Sequence, residues 1–99
     1  MAVVVQVQGP GLGPNEYDAL MGAVDWENQP ATGGIFHAAW FDDEGLRVVD
    51  VWEREADWEA FLNDRLMPAL IEFGQSERPP YSVMPAHRYF NTESAHAST

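Results

Sequence analysis

The feature that most constrains the fold is a pair of apolar runs separated by a short acidic turn. Residues 35–41 are apolar apart from His37, and residues 46–53 form a second run that is rich in valine. Between them lies Asp42-Asp43-Glu44-Gly45, which is typical of a tight turn. Two strand-like runs joined in this way predict a β-hairpin over residues 35–53.

The segments on either side of this hairpin alternate strand with helix. Residues 2–8 predict a first strand, and residues 81–90 predict a last strand in which Pro85 implies an edge position or a bulge. Residues 55–73 follow a helical period, and we expect a kink or a new helical turn at Pro68. A first helix after residue 13 carries one apolar stripe, formed by Tyr17, Leu20, Met21 and Val24. The order β-α-β-β-α-β predicts an α+β, ferredoxin-like fold, an antiparallel sheet with two helices on one face.

The predicted strands are apolar on both faces, whereas two helices cover only one. Val4 points to the face opposite Val3 and Val5, and Ile35 to the face opposite Phe36. Strands of this kind need cover on both sides. The simplest cover is a second copy of the same sheet, so we predict a homodimer.

Length and composition are consistent with one small domain. The 99 residues fit a single domain, predicted over residues 1–90, and the small polar residues 91–99 predict a flexible C-terminal tail. Apolar residues make up 45% and aromatic residues 12% of the chain, with four tryptophans. A monomer of this size can hide only part of that surface, so a pocket or a subunit interface should take the rest.

The charged residues exclude several classes of function. Sixteen acidic residues face five basic ones, all arginine, which gives a net charge of −11. This charge argues against binding nucleic acid or an anionic membrane surface. Lysine and cysteine are absent, which excludes Schiff-base chemistry, thiol nucleophiles and thiolate metal sites. With no membrane-spanning run and no charged leader, we expect a cytoplasmic protein.

The sequence resembles the dimeric α/β-barrel superfamily, in particular its antibiotic-biosynthesis monooxygenase-like and uncharacterised bacterial members. The resemblance covers roughly residues 2–90 and is carried by the segments 34–37, 45–53, 58–70 and 87–90. The step from Asp50 through Val51 and Trp52 to Glu53 is similar to that of the monooxygenase-like group. The resemblance implies two ferredoxin-like subunits that share a barrel, with a cavity in each subunit. It specifies an activity poorly, because many members are uncharacterised.

His37 and Asp50 are the first candidates for chemistry. His37 is a lone histidine in an apolar strand, suited to a general base or a ligand hydrogen-bonder pointing into the barrel, or to a core residue satisfied by a carbonyl or an acid. Asp50 interrupts a valine-rich strand, where a carboxylate is costly unless it is paired. A four-residue turn places His37 opposite Asp50, whereas a three-residue turn puts them on opposite faces. Both registers remain open from sequence.

Aromatic and polar residues on the strands complete the candidate site. Trp52 shares a face with Asp50, where it would stack on a flat ligand or pack in the core. His87 and Tyr89 share one face of the predicted last strand, where they could stabilise an oxyanion, and Arg88 lies on the other face. The predicted catalytic set is therefore His37, Asp50 and His87, and the predicted substrate-binding set is Trp52, Tyr89, Trp40 and Arg88.

We expect no metal and no cofactor. Two histidines and Asp50 could in principle bind a metal ion, but no helix-borne histidine spacing supports such a site. The glycines after the first strand lack the Gly-X-Gly-X-X-Gly spacing of dinucleotide-binding loops, and no serine lies in a nucleophile elbow.

Three functional hypotheses follow. The first is a cofactor-independent enzyme, a monooxygenase or cyclase that acts on a small aromatic or polyketide-like molecule. The second is a binding or accessory protein that holds a small hydrophobic ligand without turnover. The third is a dimer whose apolar surfaces serve assembly alone.

Overall fold

The computed structural model describes residues 1–92, so residues 93–99 of the predicted tail lie outside the described residues. The strands are β1 (Val3–Pro10), β2 (Gly34–Asp42), β3 (Gly45–Trp52) and β4 (Tyr81–Pro85). The helices are α1 (Pro14–Val24), α2 (Glu55–Phe61) and α3 (Met67–Glu72), and a π-helical turn (Leu62–Leu66) joins α2 to α3. The strands form one antiparallel sheet in the order β2-β3-β1-β4. The predicted ferredoxin-like α+β fold is confirmed.

The β2–β3 hairpin has the four-residue turn register. Asp42 pairs with Gly45, Phe41 with Leu46, and His37 with Asp50. Gly45 has a φ of 129°, a backbone conformation that glycine adopts far more easily than other residues. A bulge between Gly34 and Phe36 shifts the register at the start of β2.

The second helix is interrupted where the sequence predicts an interruption. Pro68 has no backbone N–H and lies in the first turn of α3, the position that a helix tolerates best. Immediately before it, the Met67 N–H donates to the Leu62 carbonyl, five residues back, which is π-helical geometry. Leu62 and Leu70 are nevertheless both buried, so the interrupted helix keeps its apolar side on the sheet.

The predicted last strand is too long. β4 ends at Pro85, which pairs with Val3, the first residue of β1. One further backbone hydrogen bond, of 2.9 Å, joins the Ala86 N–H to the Ala2 carbonyl. Beyond that point β1 offers no further rung, so residues 87–90 leave the sheet instead of extending the strand.

The two faces of the sheet have different surroundings. Val3, Val5 and Trp52 point toward the helices and are buried in the core together with Trp58 and Leu62. On the opposite face, Phe36 and Trp40 are 41% and 47% exposed. The second apolar face that the sequence predicts is therefore present and has no cover within the described residues.

Candidate functional site

Three side chains on the helix-covered face of the sheet form a continuous hydrogen-bonded chain. His37 Nδ1 lies 2.7 Å from Asp50 Oδ1, across the β2–β3 pair. His37 Nε2 lies 2.6 Å from the hydroxyl of Tyr17, on α1. The Tyr17 and His37 rings are parallel, with an interplanar angle of 1°. Both ring nitrogens of His37 are thus engaged, one by a carboxylate and the other by a phenol.

Trp52 binds the second carboxylate oxygen of Asp50. The Trp52 indole Nε1–H donates to Asp50 Oδ2 at 3.2 Å. Asp50 is only 2% exposed, and it is the one buried polar or charged residue within residues 1–92. A buried carboxylate is tolerated when it is paired and hydrogen-bonded, and here each oxygen has a donor.

This arrangement selects one tautomer of neutral His37. A carboxylate only accepts hydrogen bonds, so His37 Nδ1 carries the proton that points to Asp50. His37 Nε2 then carries the lone pair, and the Tyr17 hydroxyl donates to it. The order of donation runs from Tyr17 to His37 to Asp50, which leaves lone pairs on the Tyr17 oxygen for another donor.

Tyr17 is held in its protonated form. Partial burial raises the pKa of the Tyr17 phenol above its ordinary value, and the nearby carboxylates of Asp50, Glu27 and Asp18 raise it further. At neutral pH, Tyr17 is therefore a hydrogen-bond donor to His37.

Trp26 covers the network from the loop after α1. Its ring stacks on Trp52 with centroids 5.0 Å apart, and it meets His37 edge-on at 5.4 Å. This approach requires Gly34, because a Cβ there would lie 2.5 Å from the Trp26 ring. Trp26 therefore packs between His37 and Trp52 and covers the ring of Trp52.

A cavity of about 310 Å³ lies between the sheet and the helices, and Tyr17, His37 and Asp50 are part of its wall. The remaining wall near them is mainly apolar and includes Leu20, Val24, Trp26, Val48, Trp58 and Phe61. The loop that precedes β4 contributes Glu77 and Arg78. This volume is at the lower end of the range for small-molecule sites.

The structure brings together only part of the predicted site. His37 and Asp50 lie in the cavity wall, and His37 faces the helices instead of the uncovered face on which a second sheet would pack. Trp52 is fully buried beneath Trp26 and cannot stack on a ligand in this conformation, so its contribution is to hold Asp50. Trp40, which is predicted to bind substrate, pairs with Arg47 on the opposite face of the sheet and does not line this cavity.

The sequence predicts His87, Arg88 and Tyr89 on the last strand, and that strand placement is wrong. All three follow Pro85, where the chain has already left the sheet, and all three are exposed. They do not line the cavity with His37. Within residues 1–92, no group of three or more histidine or acidic side chains is arranged to hold a metal ion.

The sequence prediction did not include Tyr17, Trp26 or Trp58 in the site. The helical period places Tyr17 in the apolar stripe of α1, and its hydroxyl is the only polar group in that stripe. A phenol on the side of a helix that packs against a sheet needs a hydrogen-bond partner there, and this requirement is the signal in the sequence that points to Tyr17.

No helix in the described part of the chain is long and apolar enough to cross a membrane.

No protein-family model and no curated protein matches the sequence. Solved structures do match. NE2512, a protein of unknown function from Nitrosomonas europaea, has 23% identity and a TM-score of 0.64, with 92% of each chain covered. A proposed antibiotic biosynthesis monooxygenase from Chloroflexus aurantiacus has 12% identity and a TM-score of 0.61, covering 91% of this chain and 98% of that one.

SnoaB from Streptomyces nogalater, a cofactor-independent oxygenase, also has 12% identity and a TM-score of 0.61, covering 92% of this chain and 97% of its own. Identities this low show a shared fold and do not carry over an activity. The resemblance to the monooxygenase-like proteins is confirmed at the level of the fold.

Proposed function

We propose that this protein binds a small aromatic molecule in its cavity and removes a proton from it without a bound cofactor. One observation carries the proposal: the Tyr17–His37–Asp50 chain, with contacts of 2.6 and 2.7 Å, in the wall of a mainly apolar cavity. A base in an apolar site, oriented by a buried carboxylate, is the arrangement that general-base catalysis requires.

The proton would move through the hydrogen-bonded network from Tyr17 to His37, which is the direction in which the hydrogen bonds donate. A hydroxyl of the ligand donates to the Tyr17 oxygen, while the Tyr17 proton passes to His37 Nε2. The imidazolium that forms is stabilised by Asp50, which accepts from His37 Nδ1. The product is a ligand phenolate or enolate in a site with little water, where electron-rich carbon reacts readily.

Oxygenation of such an anion needs no external reductant. A phenol with a free para position and molecular oxygen yield a quinone and water: the ring loses two hydrogens, and one atom of oxygen enters the product. The two electrons that reduce the second oxygen atom come from the substrate. The same phenolate could instead close a ring by attack of its carbon on a carbonyl, which would be cyclase chemistry.

The fold comparison supports this reaction class. SnoaB is a cofactor-independent oxygenase, and its chain superimposes on nearly the whole of this one. Its low identity transfers no residue roles, so the proposal depends on the geometry of the network in this chain.

A non-catalytic binding protein is the second candidate, and one observation favours it. The lone pair of His37 Nε2 is already occupied by the Tyr17 hydroxyl at 2.6 Å. If Tyr17 does not relay protons, the network is a satisfied polar cluster that orients a ligand hydroxyl without turnover.

The partner that we propose for the uncovered face is a second copy of the chain. Phe36 and Trp40 lie there, both substantially exposed, together with the apolar neighbours that β1 and β3 contribute. Exposed apolar patches of this kind mark interaction sites. The proposed homodimer is a barrel of two sheets, with one cavity in each subunit.

1-Naphthol is a suitable probe for catalysis, because it has a free para position and its oxidation to 1,4-naphthoquinone is visible by absorbance. Oxygen uptake and quinone formation are measured for the unmodified protein, for His37→Gln and for Tyr17→Phe. Loss of a general base is expected to slow turnover by about 10²- to 10⁴-fold. Affinity, followed by quenching of tryptophan fluorescence, should change far less.

His87→Gln is the matched control, since His87 is exposed and outside the cavity. Unchanged turnover is expected for this variant. Binding without turnover by the unmodified protein would favour the second candidate, and failure to bind aromatic probes at all would refute both. Equal loss in the two histidine variants would return His87 to the site.

Native mass spectrometry of freshly purified protein tests the assembly and any retained ligand together. We expect a dimer mass for the unmodified chain and a monomer mass for Trp40→Asp, which places a charge in the proposed interface. A monomer in both samples would refute the homodimer.

A further inference from the structure

Trp58 has an unusual position in the cavity wall. It is 1% exposed, and its Nε1 is the one buried side-chain nitrogen or oxygen without a hydrogen-bond partner among residues 1–92. The same indole borders the cavity. Trp52, which is equally buried, donates its own N–H to Asp50. The two tryptophans therefore differ in that only one has an acceptor within the protein.

A buried N–H without an acceptor destabilises the folded protein relative to one that is hydrogen-bonded. None of the neighbouring aromatic side chains accepts a hydrogen bond from Trp58 Nε1. Their ring centroids lie 6.0 Å (Trp52), 6.2 Å (Phe61) and 5.2 Å (Tyr81) from that of Trp58. Edge-to-face contact with the Tyr81 ring gives at most a weak interaction. An acceptor inside the cavity would remove the cost.

The unpaired indole and the Tyr17–His37–Asp50 network belong to different elements of the cavity wall. Trp58 is on α2 and contacts Tyr81 of β4, whereas His37 is on β2. β2 and β4 are the two edges of the sheet. A single ligand that uses both features therefore needs polar groups at separate ends.

We infer that Trp58 donates its indole N–H to an acceptor oxygen of the cavity ligand, and that this ligand belongs to the class of hydroxyaryl ketones. The hydroxyl lies at the Tyr17–His37 end, and the carbonyl lies at Trp58. The inference rests on the proposed ligand-binding function of the same cavity. At the packing density of protein interiors, a cavity of about 310 Å³ holds roughly 230 Å³ of ligand atoms, which is more than enough for two fused rings and their substituents.

Two probes that differ only in the carbonyl test this inference. They are 6-hydroxy-1-tetralone and 5,6,7,8-tetrahydro-2-naphthol, which has a methylene in place of the ketone. Dissociation constants of both are measured for the unmodified protein and for Trp58→Phe. The smaller side chain at position 58 affects both ligands alike, so the ratio of their two dissociation constants isolates the contact with the carbonyl.

Trp58→Phe is expected to weaken binding of the tetralone by roughly 2- to 12-fold more than binding of the tetrahydronaphthol. This is the range that the loss of one hydrogen bond produces. A ratio that the substitution leaves unchanged overturns the inference. The protein would then still bind aromatic hydroxyl compounds, and the proposed function would stand.

A second measurement needs no substitution and so covers the case in which Trp58→Phe does not fold. In the ¹⁵N-labelled protein, the Trp58 indole resonance is assigned through its contacts with the Tyr81 ring. Saturation with the ketone should move this signal downfield, and saturation with the naphthol should not. A signal that stays in place under a saturating ketone refutes the inference. If neither compound binds, this inference and the proposed function fail together.

Discussion

Replacing Asp50 by asparagine should reverse the hydrogen bonds of the site while leaving the fold intact. The amide oxygen of asparagine can accept from the Trp52 indole, as Asp50 Oδ2 does now at 3.2 Å. The amide nitrogen then faces His37 Nδ1 and must donate to it. His37 is forced into the tautomer with its proton on Nε2, pointing at Tyr17, so the nitrogen that should act as the base has lost its lone pair.

The structural cost of Asp50→Asn follows from counting partners. The N–H groups of Trp52 and His37 still have acceptors, and charge-assisted hydrogen bonds are replaced by neutral ones, with a loss of about 1–2 kcal/mol in the free energy of unfolding. Asp50→Leu has a similar volume but leaves the N–H groups of His37 and Trp52 without an acceptor. At about 1–3 kcal/mol for each of the two groups, its expected cost is about 2–6 kcal/mol.

Urea unfolding followed by circular dichroism compares the two variants, and long-range ¹H–¹⁵N spectra report which ring nitrogen of His37 carries the proton. Asp42→Asn is the matched control, an exposed acid on the same hairpin that pairs with Arg47, and we expect it to leave the unfolding midpoint almost unchanged. Equal destabilisation by asparagine and leucine at Asp50, or an unchanged His37 tautomer in Asp50→Asn, would refute the reasoning. Turnover of 1-naphthol should fall in Asp50→Asn while binding persists.

Three further predictions concern single contacts. Because the pKa of Tyr17 is raised in the folded state, its contribution to stability is present below pH 10 and is lost as the pH rises above that value. Between pH 8 and pH 11, the unfolding midpoint of Tyr17→Phe should therefore decline less than that of the unmodified protein. Gly45→Ala should cost at least about 1–3 kcal/mol in urea unfolding, since a Cβ there would approach backbone atoms to 2.7 Å at a φ of 129°, whereas Gly11→Ala, with open space around it, should cost less. Arg65→Met removes a hydrogen bond of 2.7 Å to the last carbonyl of α1 and should lower the thermal midpoint more than Arg78→Met, which removes an exposed contact; the reverse order would contradict this reading.

The predictions that held depend on short-range patterns. The period of two in the strands and the turn composition together specify the hairpin, and they restrict His37 and Asp50 to two registers. Choosing between the registers required the turn itself, in which Asp42 pairs with Gly45. The break near Pro68 was equally local, because a missing N–H acts within its own helix.

The predictions that failed depend on distances between elements. The end of β4 is set by the start of β1, and no residue in 81–90 carries that information. The contact of Tyr17 with His37 depends on how α1 lies across the sheet. The helical stripe identifies the side of the helix that faces the sheet, but it does not identify the strand residue that Tyr17 contacts. Trp26 comes from a loop whose position over the sheet depends on Gly34.

The burial of Asp50 argues that the network is more than a device for stability. An apolar side chain in the place of a buried ion pair is often neutral or stabilising when its partners are replaced as well. This acidic protein keeps one carboxylate inside the described core, with both oxygens engaged by donors. The consequence is a histidine fixed in one tautomer, with its basic nitrogen directed to a phenol at an apolar cavity. Low polarity strengthens each hydrogen bond in such a network. In the proposed function this network activates the ligand, because the sequence has no thiol or lysine to do so.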